Sequence, residues 1–86
     1  MIRYINNRKV EIDIHNMRHD EARRYLELFL SKANGSIREV VVIHGYTSGT
    51  VLQQMVRREL RHRRIREKSA GFNPGVTTLF LIDGKI

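Results

Sequence analysis

Eighty-six residues make one small domain with room for a single core, and a hydrophobic content of 41% supports a folded globule over a disordered tail. The absence of cysteine excludes disulfides and thiolate metal sites and suits a cytoplasmic setting, while no stretch approaches the roughly 20 apolar residues of a membrane helix. Sixteen Lys and Arg against nine Asp and Glu leave a formal charge of +7, which favours an anionic partner.

Residues 1–9 lack the apolar core of a signal peptide and read as an N-terminal extension. The domain is expected over residues 10–82, with 83–86 as a tail. Its first strand is Val10-Glu11-Ile12-Asp13-Ile14-His15, in which Val10, Ile12 and Ile14 alternate with polar positions. Asn16-Met17-Arg18 is a short connection, and Asp20 and Glu21 place acid in a first helical turn, where the macrodipole favours it. Ala22, Tyr25, Leu26, Phe29, Leu30 and Ala33 follow at the spacing of one helical face, and Asn34-Gly35 supplies a stop.

The second strand, Val40-Val41-Val42-Ile43-His44-Gly45, is a continuous β-branched run of the kind buried inside a sheet. A glycine-containing loop opens a second helix with Leu52, Met55, Val56 and Leu60 as its apolar face. Residues 65–70 alternate weakly, as an exposed strand would. Gly71-Phe72-Asn73-Pro74-Gly75 is a turn cluster, and Val76-Thr77-Thr78-Leu79-Phe80-Leu81-Ile82 is the last strand. The order β-α-β-α-β-β predicts a two-layer α/β domain with a mixed four-stranded sheet, its first strands parallel and its last two a hairpin.

Two strands end in histidine, and ligands collect outside the carboxyl ends of parallel strands. Asp13 and His15 share one face of their strand, about 6–7 Å apart along the backbone, so Asp13 is placed to orient His15 or hold its charge. His44 is either a second proton-transfer group or a core histidine bonded to a carbonyl. Gly45 and Gly49 let the backbone approach a ligand, and Tyr46 and Ser48 lie between them; Ser48 or Thr50 also suits a helix cap. His19 and His62 fall at helical positions where solvation accounts for them. A metal site reads poorly, because no carboxylate cluster accompanies the histidines, and no cofactor is called for.

Between residues 57 and 68, seven bases face only Glu59 and Glu67. Arg57, Arg58, Arg61, Arg63 and Arg64 lead that cluster, which suits phosphate contacts through the arginine fork or, alternatively, is a solvated face.

The pattern Ile12-Asp13-Ile14-His15-Asn16-Met17, an amphipathic helix, then Val42-Ile43-His44-Gly45 with a glycine-containing loop and a basic helix, resembles the small MutS-related (Smr) domain. That family's motifs read Leu-Asp-Leu-His-Gly-Met and His-Gly-x-Gly-x-Gly. Asn16 stands where the family has glycine, and the second loop keeps one later glycine and is a residue longer. The resemblance covers about Val10 to Ile82 and implies a stand-alone member with a fold similar to the C-terminal domain of translation initiation factor 3. It also implies binding of RNA or DNA with endonuclease activity, nicking or RNA-cleaving. On this reading Asp13, His15 and His44 are catalytic, and Gly45, Tyr46, Ser48, Gly49 and the arginines hold phosphate. Cleavage of RNA by acid–base chemistry, with one histidine taking the 2′-hydroxyl proton and the other protonating the leaving oxygen, is the expected mechanism. The alternatives are a non-catalytic nucleic-acid-binding domain and a module that docks on a ribosome or another protein.

Overall fold

The computed structural model describes residues 1–47 and 49–83. A hairpin opens the chain: β1 (Ile2–Tyr4) runs antiparallel to β2 (Lys9–Asp13). Asn6 closes its turn, its Oδ1 accepting from the backbone N–H of Arg8 and Lys9 at 2.8 and 2.9 Å. α1 (His19–Lys32) then crosses over, and β3 (Glu39–Ile43) returns parallel to β2. α2 (Val51–Gln54) runs directly into a π-helical turn, Met55–Glu59. β4 (Ile65–Ser69) and β5 (Val76–Leu81) form the closing antiparallel pair, and the sheet order is β1-β2-β3-β5-β4.

The mixed two-layer α/β class is as expected, with two differences. The sheet has five strands rather than four, because Ile2–Tyr4, placed in the N-terminal extension, pairs with Val10, Glu11 and Ile12. Three residues carry too little periodicity to read as a strand; β2 supplies the register. The second helix is one α turn followed by π turns, with the Leu60 N–H bonding the Met55 carbonyl at 2.7 Å. The wider turn brings Met55, Val56 and Leu60 all into the core.

One face of the sheet builds that core. Val10, Ile12, Ile14, Val40, Val42, Leu79 and Leu81 are buried against Ala22, Leu26 and Leu30 of α1 and against the π segment. Full burial of a Leu, Ile or Val contributes about 1.5–3 kcal/mol. Shared packing, more than helix propensity, therefore holds the layers together. The other face, with Glu11, Asp13, Glu39, Val41 and Ile43, stays half-exposed.

The helix ends also show how the sequence closes each element. Glu21 accepts from the Arg18 backbone N–H at 3.2 Å, half of a capping box. α1 stops at Ala33 in an extended conformation, and Asn34 Oδ1 then takes the Ser36 N–H at 2.9 Å, so Asn34-Gly35 forms an Asx turn rather than a left-handed glycine cap. Lys68 of β4 reaches back to the carbonyl of Leu60 at 2.6 Å and caps the π segment.

Candidate functional site

The parallel strands β2 and β3 end side by side, with Asp13 opposite Ile43 and the Ile14 N–H bonded to the Ile43 carbonyl at 2.9 Å. Beyond these ends a cleft of about 380 Å³ is lined by His15, Arg18, His19, His44, Gly45 and Tyr46, among others. Asp13, His15, His44 and Gly45 thus meet at one end of the sheet. Gly45 has φ 72° and sits against His15, with room for a Cβ at 3.5 Å from the histidine Cβ. Its backbone angle, not its lack of bulk, is what calls for glycine there.

Asp13 and His15 form a bonded pair. Asp13 Oδ1 accepts from the His15 backbone N–H at 3.0 Å and also from His15 Nδ1. Burial alone would raise the Asp13 carboxyl, but the bonds from the His15 ring and backbone outweigh it and hold the group below its ordinary value. An ionised acceptor places the proton on Nδ1. Among the described residues nothing takes Nε2, and the side chain is about half exposed.

His44 differs from the expected proton-transfer group. It is 3% exposed, and both ring nitrogens are engaged: Nδ1 donates to the Gly45 carbonyl at 2.9 Å, and Nε2 meets Thr77 Oγ1 at 2.8 Å. Arg57 Nε donates to the same Oγ1 at 2.8 Å, so the Thr77 hydroxyl proton points to His44 Nε2. Burial pushes His44 below the ordinary histidine value, opposed by its bond to the Gly45 carbonyl and aided by the Arg57 charge. The ring is a neutral bracket for the loop, and neither nitrogen is left for a substrate in this arrangement.

His19, expected to be merely solvated, lines the cleft instead. Nδ1 meets Asp20 Oδ1 at 2.8 Å and Nε2 meets Glu59 Oε1 at 2.7 Å. Two carboxylate acceptors require both nitrogens to carry protons, so the ring is an imidazolium. The bond to Asp20, followed by that to Glu59, raises it above the ordinary value. Asp20 was a signal in the sequence; Glu59, 40 residues away, was not. His62 lies between the π segment and β4 rather than on a helix, and bonds Ser31 Oγ at 3.1 Å.

The basic cluster divides. Arg64, expected among the phosphate contacts, is buried at 7% exposure, and its guanidinium bonds the carbonyls of Ala33, Ile37 and Ile82 at 3.1, 3.0 and 3.3 Å. Those carbonyls lie at the start of β3, about 17 Å from the cleft for a five-residue strand. Arg57 is committed to Thr77 and, through Nη2, to the Val76 carbonyl at 3.1 Å. Arg58, Arg61 and Arg63 remain exposed. Gly49 has φ 122°, Tyr46 is exposed, and Ser48 lies outside the described residues. Among the described residues no three His, Asp or Glu side chains gather as a metal would need, and no helix is long and apolar enough to cross a membrane.

A family model for the Smr domain matches residues 12–77, a span that takes in both strand-end histidines, the glycine loop and the π turn. The chain belongs to the Smr domain family. Smr domains are associated with nucleic-acid binding and nuclease activity. Neither the curated proteins nor the solved structures compared with this Smr domain hold a match.

Proposed function

We propose that this Smr domain binds nucleic acid across the cleft end of its sheet and cleaves a phosphodiester bond there, with RNA preferred to DNA. The observation that carries this reading is the Asp13–His15 pair, whose Nε2, unpartnered among the described residues, belongs to a half-exposed ring on a cleft that also holds Arg18. Neutral His15 takes the proton of a 2′-hydroxyl at Nε2, and Asp13 stabilises the imidazolium that forms. The freed oxygen attacks phosphorus, the 5′-oxygen leaves with a proton from solvent, and a cyclic phosphate results. Arg18, exposed on the cleft, offsets the negative charge that grows on the phosphate oxygens.

A second reading, binding without cleavage, is favoured by one specific observation. His44 is engaged at both nitrogens, so a two-histidine relay is not assembled. Labelled RNA and DNA of one sequence, incubated with the protein with and without chelator, separate the readings. RNA cut to cyclic-phosphate ends, with His15→Ala inactive but still binding, supports the first. Binding with no cut under any condition supports the second, and no binding to either nucleic acid leaves docking on a protein partner.

A further inference from the structure

Two aromatic side chains stand uncovered at the cleft end of the domain. Tyr46 lines the cleft at 48% exposure, and Phe72, on the 71–75 turn, is fully exposed. The turn that carries Phe72 is held firmly. Asn73 Oδ1 accepts from the Gly75 N–H at 2.8 Å, and the Val76 N–H bonds the Asn73 carbonyl at 3.2 Å. The turn is also pressed onto the cleft loop. The Gly75 carbonyl accepts from the N–H groups of both His44 and Gly45 at 2.9 Å, and a Cβ on Gly75 would lie 3.3 Å from Gly45 Cα. From the helix layer, Gln53 Nε2 donates to the Pro74 carbonyl at 2.6 Å.

A phenylalanine in water forgoes the stabilisation that burial would give it. Here the uncovered ring sits on a braced turn, next to a loop whose tyrosine is also uncovered, at the end of the domain that carries the exposed Arg18. Flat rings beside an arginine match nucleobases, whose faces stack on aromatic side chains while the phosphates meet the charge. In a duplex those faces are already stacked and paired; only unpaired bases offer them. We infer that Phe72 and Tyr46 are stacking platforms for unpaired bases flanking the phosphate at His15, so the cleft takes single-stranded nucleic acid in preference to duplex. The inference rests on the nucleic-acid reading above and narrows its substrate.

The test is fluorescence anisotropy with one labelled oligonucleotide, free and annealed to its complement. The single strand binds more tightly. Phe72→Ala and Tyr46→Leu each weaken it by roughly 5- to 100-fold, the range for removal of a base stack, and leave duplex affinity as it was. The salt slope stays unchanged in both variants, because no charge is removed. Phe72→Trp retains affinity, and its emission, the only indole signal in a chain without tryptophan, is quenched on binding. Since Phe72 is fully exposed, a thermal melt of each Phe72 variant matches that of the parent. Equal affinity for duplex and single strand, or unchanged affinity in both variants, overturns the inference and leaves nucleic-acid binding standing. Failure to bind either form overturns the nucleic-acid reading itself and this inference with it.

Discussion

His44 Nε2 and Thr77 Oγ1 lie 2.8 Å apart in a buried hydrogen bond, and that bond decides what His44 does. Thr77 also accepts from Arg57 Nε, so the end of β3, the start of β5 and the π turn are joined through one hydroxyl. The π turn places Arg57 over Thr77, and Lys68 secures the C-terminal carbonyl of the same segment.

Thr77→Val keeps the side-chain shape and deletes that hydroxyl. It strands the buried His44 Nε2 and takes the acceptor from the half-buried Arg57 Nε, and the expected cost is about 1–3 kcal/mol, the desolvation penalty of an unpaired buried polar group. Urea unfolding measures it. His15→Ala, at a half-exposed position, changes the unfolding free energy by less than about 1 kcal/mol. Equal midpoints for Thr77→Val and the parent would remove the bracket role assigned to His44.

Cleavage divides the two strand-end histidines differently. His15→Ala lowers the single-turnover rate by about 10²–10⁴-fold, the usual contribution of a general base, while affinity for RNA persists. Asp13→Asn keeps a polar partner for the ring but loses the ionised acceptor, so its rate falls less. A rate unaffected by His15→Ala sinks the mechanism.

Stability changes with pH on both sides of neutrality, for opposite reasons. His44 is held neutral by burial, so its folded value lies below the unfolded one. Its contribution is present above about 6.5 and is lost as pH falls through the folded value, because the unfolded chain takes the proton more readily. His19 is held charged by Asp20 and Glu59, so its folded value is raised. Its contribution is present below about 6.5 and is lost as pH rises through the folded value. His19→Gln therefore flattens the alkaline limb of a plot of unfolding free energy against pH. A variant whose alkaline limb matches the parent's contradicts the assignment.

The arginines separate into two classes by experiment. Arg64→Met removes donors to the carbonyls that end α1 and begin β3, and costs about 2–4 kcal/mol of stability. Charge reversal of the exposed Arg58, Arg61 and Arg63 leaves the fold intact. It lowers affinity for all sequences alike and reduces the log–log salt slope by about 0.7 for each single-strand phosphate that is no longer neutralised. An unchanged slope returns these three residues to the role of a solvated face.

The sequence by itself determined the elements that bury one face. Val10, Ile12 and Ile14 alternate because every second residue of β2 meets the helix layer, and Ala22, Leu26 and Leu30 recur because each turn of α1 does. The two strand ends, with Asp13 and His15 on one and His44 on the other, follow from the same local periods, as does the turn at residues 71–75. Tertiary structure alone decided which polar groups those histidines meet. His44 finds Thr77 33 residues away and His19 finds Glu59 40 residues away. Likewise, Arg64 turns inward to carbonyls brought together by the fold, although Arg63 beside it in the same basic run is exposed. Burial leaves a repeating trace along the chain because each residue is tested against the same surface. A hydrogen-bond partner across the fold leaves none, since only folding sets its distance and direction.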